Sequence, residues 1–273
     1  MRNWMTAATI AATAMTGMTV AGVAQADDGE EGSGIEPVVY GQRGITLEKG
    51  QLRPEGALVL SKTFSNDIAF GIIAMVDWAP IDKLEIGVTA AQINLTPEAE
   101  YGDTRLGARY KLLDGGFQLA AEAGFTFSND KTTHGHAIDI GVPLRFFLNK
   151  AARLDIGPRV ALNLPASGSG DKLRADLELA VGLAVSLTRN VYLDVKTGLV
   201  APEFKFDQAS IPLSLEVGYS IEGDGGAAWI DIFLRGVFPT FLYLGDAVPG
   251  FLDTVNLNPW VIGLGARLHF GLE

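Results

Sequence analysis

"LRADLELAVGLAVSLT", residues 173–188, decides the fold. Its odd positions, Leu173 through Leu187, are all apolar, and the even positions between them are Arg174, Asp176, Glu178, Ala180, Gly182, Ala184 and Ser186, all charged or small. A helix would space its apolar residues by three and four, and it would put Arg174 and Glu178 on one face while sending Asp176 elsewhere. Strict alternation instead makes a strand with two unlike faces.

The same period runs through most of the chain. "GDTRLGARYKLL" sets Leu106, Ala108, Tyr110 and Leu112 against Arg105, Gly107, Arg109 and Lys111. "FQLAAEAGFTF" sets Leu119, Ala121, Ala123 and Phe125 against Gln118, Glu122 and Gly124, and "IPLSLEVGYSI" sets Leu213, Leu215, Val217 and Tyr219 against Ser214, Glu216 and Gly218. The alternation predicts twelve strands near 54–64, 67–78, 83–94, 103–113, 117–128, 137–148, 153–164, 172–187, 190–200, 210–221, 227–238 and 259–270. No helix-period segment interrupts them, so the class is all-β, antiparallel and up-and-down.

The first 26 residues read as an export signal: Arg2, then the small, apolar "WMTAATIAATAMTGMTVAGV", then Ala24-Gln25-Ala26 as a cleavage pattern. A membrane anchor is the alternative, and the Thr/Ala/Gly-rich core and the acidic break after it argue against that. The expected organisation is a signal peptide over 1–26, a flexible acidic leader and periplasmic lead-in over 27–53, and a barrel over 54–273. No later stretch supplies the ~18 to 20 uncharged apolar residues of a spanning helix.

Composition points the same way. The 273 residues carry a net charge of -11, yet mean hydropathy is +0.22. The acidic balance argues against nucleic acid, whose phosphates need a basic face. There is no cysteine, which excludes disulfides and thiolate chemistry.

A soluble β-sandwich also alternates, with its apolar face inward. Four features separate the two. The connections alternate in length: "APID", "DGG", "NKAA", "TRN" and "EGDGG" on one side, and "LTPEAEYG", "SNDKTTHGH", "PASGSGDK", "APEFKFDQAS" and "PTFLYLGDAVPGFLDTVNLNP" on the other, the first connection "SND" being the exception. Charges of both signs sit at mid-strand on the polar face. Aromatics lie near strand ends on the apolar face, where a lipid–water girdle belongs: Trp78, Tyr110, Phe127, Phe146, Tyr219, Trp260 and Phe270. Finally, the chain closes on "PWVIGLGARLHFGLE", an alternating strand.

That last strand resembles the C-terminal signal of bacterial outer-membrane β-barrels, which alternates apolar residues and ends on an aromatic. Phe270 matches, and Gly271-Leu272-Glu273 follow it as a departure. The resemblance implies a porin- or transporter-like barrel of about twelve strands, with short periplasmic turns and longer external loops. It also implies the outer membrane of a Gram-negative-type bacterium as its location, and the lipid bilayer and the barrel-assembly machinery as its partners. "GITLEKGQLRPEGALVLSKTF" and "YGDTRLGARYKLLDGG" are further similar to the outer-membrane transporters grouped as the MetA-pathway phenol-degradation family. Closure is also a physical need, since each unpaired backbone group in hydrocarbon costs several kcal/mol.

The residues expected to line the lumen are Arg105, Arg109, Lys111, Glu122, Asp139, Arg145, Asp155, Arg159, Arg174, Asp176, Glu178, Asp194, Glu216, Asp231, Arg235 and Arg267. They set solute selectivity, or they pair across strands and fill the bore. A cross-strand ladder is expected among Asp139, Arg145, Asp155 and Arg159. The apolar loop at 239–258 either enters the bore or packs on its neighbours. Residues 35–53 are read as a lead-in to the first strand, with a plug as the other possibility. His134 and His136 lack a third ligand at a familiar spacing, so no metal or cofactor is expected. There is no G-x-S-x-G, and His269, the one histidine on a predicted strand, faces inward. The chain is therefore expected not to be an enzyme. The expected function is a narrow channel for passive passage of a small solute. The alternatives are a non-conducting structural or adhesion barrel with a filled bore, and a lipid-modifying enzyme.

Overall fold

The computed structural model describes residues 37–62, 67–96, 100–128, 135–165, 172–223, 227–244 and 259–271. Twelve strands among them form one antiparallel sheet: β1 Gln51–Lys62, β2 Ile68–Ile81, β3 Leu84–Asn94, β4 Glu100–Tyr101 with Thr104–Leu113, β5 Phe117–Phe127, β6 Ala137–Gly141 with Leu144–Asn149, β7 Ala152–Asn163, β8 Arg174–Ser186, β9 Val191–Ala201, β10 Ser210–Glu222, β11 Ala228–Tyr243 and β12 Trp260–Leu268 with Phe270–Gly271. Each strand pairs with the next, and β1 pairs with β12 from Glu55 opposite Arg267 to Lys62 opposite Trp260, so the sheet is a closed barrel. Closure leaves no strand edge for lipid to meet.

Prolines mark the irregularities. Pro143 has no N–H to give, and β6 breaks there opposite a second proline, Pro158. Pairing continues through Ala120 N–H to Pro143 O at 2.9 Å and Val142 N–H to Pro158 O at 3.0 Å. Pro54 lies on β1 where β12 is interrupted between Leu268 and Phe270. The expected start of the first strand at 54 is therefore too late, because the ladder resumes on the far side of the proline at Leu52 opposite Phe270. Strand β11 runs on to Tyr243, so residues 239–243 are wall rather than loop. The rest of that expected loop, residues 245–258, lies outside the described residues, as do the expected signal peptide and His134.

Burial settles which face meets water. Leu58, Leu264 and Leu234 are paired neighbours on β1, β12 and β11, and each is more than half exposed on the outer face. The inward set is charged: Arg145, Arg153 and Asp231 are 0% exposed. A soluble domain hides leucine and shows arginine. This barrel does the reverse, as a wall between lipid and a polar lumen does. Of the expected girdle, Trp78, Tyr110, Phe127, Tyr219 and Phe270 are exposed outward, and Phe146 and Trp260 are half-buried. Trp78 and Phe270 flank Leu52 at one level, near the short-turn rim.

Candidate functional site: the lumen and its strap

Because side chains alternate, every charged inward position on one strand faces an inward position on the next. The register places opposite charges in direct opposition on many pairs: Arg53 with Asp77, Glu85 with Arg109, Arg109 with Glu122, Arg145 with Asp155, Arg159 with Glu178, Glu216 with Arg235, and Asp231 with Arg267. Such pairs favour this register over a slip by one residue, which would turn every charge into lipid.

The sixteen residues expected in the lumen all face inward, and the structure joins them into networks. Toward the long-loop rim, Arg105 bridges Glu122 at 2.8 Å and Asp139 at 2.6 Å. Arg159 pairs with Glu178 and lies 3.9 Å from Asp139. Asp176 accepts from Asn163 at 2.7 Å, Arg174 at 3.2 Å and the Glu203 backbone N–H at 2.9 Å. At mid-height, Arg267 meets Glu55 at 2.7 Å, and Arg235 meets Glu216 at 2.5 Å and Glu55 at 3.1 Å. Lys111 turns to Asp114 in the short turn, at 2.5 Å, and Asp194 meets Lys196 at 3.1 Å. In the expected ladder, Arg145 holds Asp155 at 2.5 and 2.9 Å.

The largest departure from the sequence reading is the segment before β1. Residues 37–50 are not a lead-in below the barrel: from Val38 to Leu47 nearly every residue is buried, and the segment crosses the lumen as a strap at the short-turn end. It is short of apolar partners there, so its backbone is held by barrel side chains. Gln118 accepts from Ile45 N–H at 2.8 Å, Glu85 from Leu47 N–H at 2.9 Å, and Ser186 from Gly41 N–H at 3.0 Å. Arg109 donates to Ile45 O at 3.1 Å, Arg145 to Arg43 O at 2.7 Å and to Gly44 O, and Arg153 to Tyr40 O. Arg43, the strap's buried cation, forks onto Asp231 at 2.5 and 2.8 Å, and Ser220 and His269 also reach that carboxylate, at 2.7 and 3.0 Å. The Tyr40 ring stacks on Tyr192 at 3.8 Å between centroids, and its hydroxyl donates to Asp194 at 3.2 Å.

The small residues of the opening motif explain the fit. Ala184 packs against Tyr40 and Tyr192, and Ser186 caps the strap. Higher up the same strand, Ala180 and Gly182 border a small cavity of about 50 Å³ between the β5–β10 wall and the lumen charges. Asp155, Arg159, Glu178 and Lys196 edge this cavity, and Gly157, Val200 and Pro212 also line it. The sequence reading does not single out Arg43, Arg53, Glu55, Asp77, Glu85, Arg153, Tyr192 or Lys196, and it places Gln118 on the polar face without giving it a role. Inward parity would have found those on strands, whereas nothing in the alternation marks Tyr40 or Arg43.

No protein-family model matches the chain, and no curated protein matches it. Among solved structures it is similar to a porin refined at 1.8 Å (7% identity, 80% of this chain and 99% of that one, TM-score 0.38). It is also similar to the outer membrane protein OmpT of Vibrio cholerae (10% identity, 80% and 98%, TM-score 0.40) and to the outer membrane channel DcaP of Acinetobacter baumannii (9% identity, 81% and 96%, TM-score 0.35). The chain's own geometry defines its class. A closed antiparallel barrel of twelve strands, apolar outside and charged inside, is a transmembrane β-barrel of the bacterial outer-membrane type.

Proposed function

We propose that this barrel passes a small solute along its lumen, with the strap at 37–50 closing the short-turn end at rest. The observation that carries this reading is the cavity above the strap. It is bordered by Gly157, Ala180 and Gly182 where bulky side chains would have filled the bore, and the strap beneath it is docked by hydrogen bonds and ion pairs. Such a segment can leave and return without breaking the sheet. In this proposal residues 1–26 direct export, the short turns face the periplasm, and the chain carries no catalytic step.

The test is conductance in planar bilayers of the full chain and of a variant lacking residues 37–47. The full chain should be closed with rare openings, and the deletion should conduct steadily. Folded barrels that neither conduct nor admit solute in both forms would sink the passage reading.

The ion pairs that tie β1, β10, β11 and β12 together through Glu55, Glu216, Arg235 and Arg267 favour a second reading, a filled structural barrel. There Arg109→Gln and Arg159→Gln would lower stability without altering the selectivity of any residual current. A lipid-modifying role instead predicts altered lipid composition on overexpression, abolished by replacing one Ser or His.

A further inference from the structure

Two guanidiniums against the strap share one carboxylate. Arg145 forks onto Asp155, and Arg153 reaches the same group through Nε at 3.3 Å. Both arginines are 0% exposed. Their Nη1 groups go to strap carbonyls: Arg145 Nη1 to Arg43 O and Gly44 O, and Arg153 Nη1 to Tyr40 O and, at 3.3 Å, Arg43 O. The nearest further cation, Lys196, has Asp194 at 3.1 Å. Across the lumen, Arg43 and Asp231 neutralise each other. Among the described residues, no second carboxylate pairs with the Arg145–Arg153–Asp155 cluster, which keeps one positive charge, and the three strap carbonyls stand where an anion's oxygens would.

We propose that, on the passage reading above, Arg145 and Arg153 form a binding site for a small oxyanion, a carboxylate or phosphate, which displaces the strap and so opens the lumen to itself. Planar, forked guanidinium donors match such oxygens, and a buried charge without a counter-ion is costly. Carbonyl dipoles are weaker partners than an anion, so the strap occupies the site at rest and yields when an anion is present. The anion binds only the strap-out state, so it must raise that state's population. Asp155, the carboxylate the two arginines share, also edges the cavity above.

The chain has no cysteine, so Ile45→Cys on the buried strap reports strap release by its rate of labelling with a bulky maleimide. At constant ionic strength, succinate and inorganic phosphate should each accelerate labelling about tenfold or more over chloride, and glucose should not. Response to one oxyanion and not the other would identify which is preferred and would still support the site. Arg153→Gln should raise the basal rate, since Tyr40 O loses its donor, and abolish the oxyanion response. Equal rates in chloride, succinate and phosphate would overturn the proposal, as would an oxyanion response that survives Arg153→Gln. If Arg153→Gln fails to fold, hydrogen exchange of residues 40–47 in the otherwise unaltered chain decides: exchange unmoved by either oxyanion refutes the site. This outcome is separate from passage, because a strap-deleted barrel that conducts while labelling ignores oxyanions keeps the channel and loses the site.

Discussion

Asp231→Asn should free the strap while leaving the barrel intact. Asp231 lies on β11, is fully buried, and receives both Nη groups of Arg43 together with Ser220 Oγ and His269 Nε2. Its wall partner Arg267 keeps Glu55 on β1 at 2.7 Å and Glu216 on β10 at 3.5 Å, and the backbone ladder from Ile230 opposite Leu268 to Val237 opposite Val261 holds β11 to β12. Arg43 on the strap loses that carboxylate and keeps its hydrogen bonds to Ser220 Oγ and Pro37 O. Removing one member of a buried pair costs about 3 to 5 kcal/mol, and the lower end applies because the replacement amide still accepts one hydrogen bond. At 1.4 kcal/mol per tenfold, about 3 kcal/mol raises the strap-out population roughly 150-fold. Thiol labelling of Ile45→Cys, read with and without Asp231→Asn, measures that population so long as opening and closing are fast against labelling. Retention of the folded barrel's gel mobility shows that the wall has held. A folded double variant that labels at the single variant's rate would mean that Arg43 and Asp231 do not latch the strap, and the account of how the lumen closes would fail.

Other changes test the wall and its fit. A Cβ on Gly218 would run into the Tyr192 ring, so Gly218→Ala should shift Tyr192, weaken its stack on Tyr40, and cost about 1 to 3 kcal/mol in denaturant unfolding. Leu234→Arg on the outer face, level with Leu58 and Leu264, should cost roughly 2 to 4 kcal/mol of folding free energy in bilayers if that level is mid-membrane, and unchanged stability would contradict the lipid-facing assignment. Glu178→Gln removes the carboxylate that Arg159 holds at the edge of the cavity. It should move the reversal potential of the strap-deleted barrel toward anions, and an unmoved potential would place the current elsewhere. In the turn after β4, partial burial raises the Asp114 carboxyl, but hydrogen bonds from Lys111 and Gln118 outweigh it and hold the group below its ordinary value. Its support for the turn is therefore complete at neutral pH and fades only as pH falls below about 4, which Asp114→Asn should reveal as a smaller acid sensitivity.

Strand count, order and face were legible because period-two alternation is local. Each inward charge on β8 could be assigned by parity alone, and a closed meander then fixed which strands neighbour one another. Charge pairs such as Arg145 with Asp155 followed once β6 and β7 were adjacent. Strand ends were less legible near Pro54 and after Pro239: a proline removes one donor but does not stop a strand whose neighbours carry the ladder past it.

What the sequence determined by itself is the wall: twelve alternating strands, and a charged face that must point away from lipid because hydrocarbon tolerates neither bare charge nor unpaired backbone. What only the tertiary structure decided is how the lumen is filled. "PVVYGQRGITLEKG", residues 37–50, has no period that marks it as interior, since its place is set by partners far away in the chain: Asp231 for Arg43, Tyr192 for Tyr40, Gln118 and Glu85 for its N–H groups. Alternation tells a side chain which way to point. Whether the space it points into holds water or another part of the same chain depends on contacts that exist only once the barrel has closed.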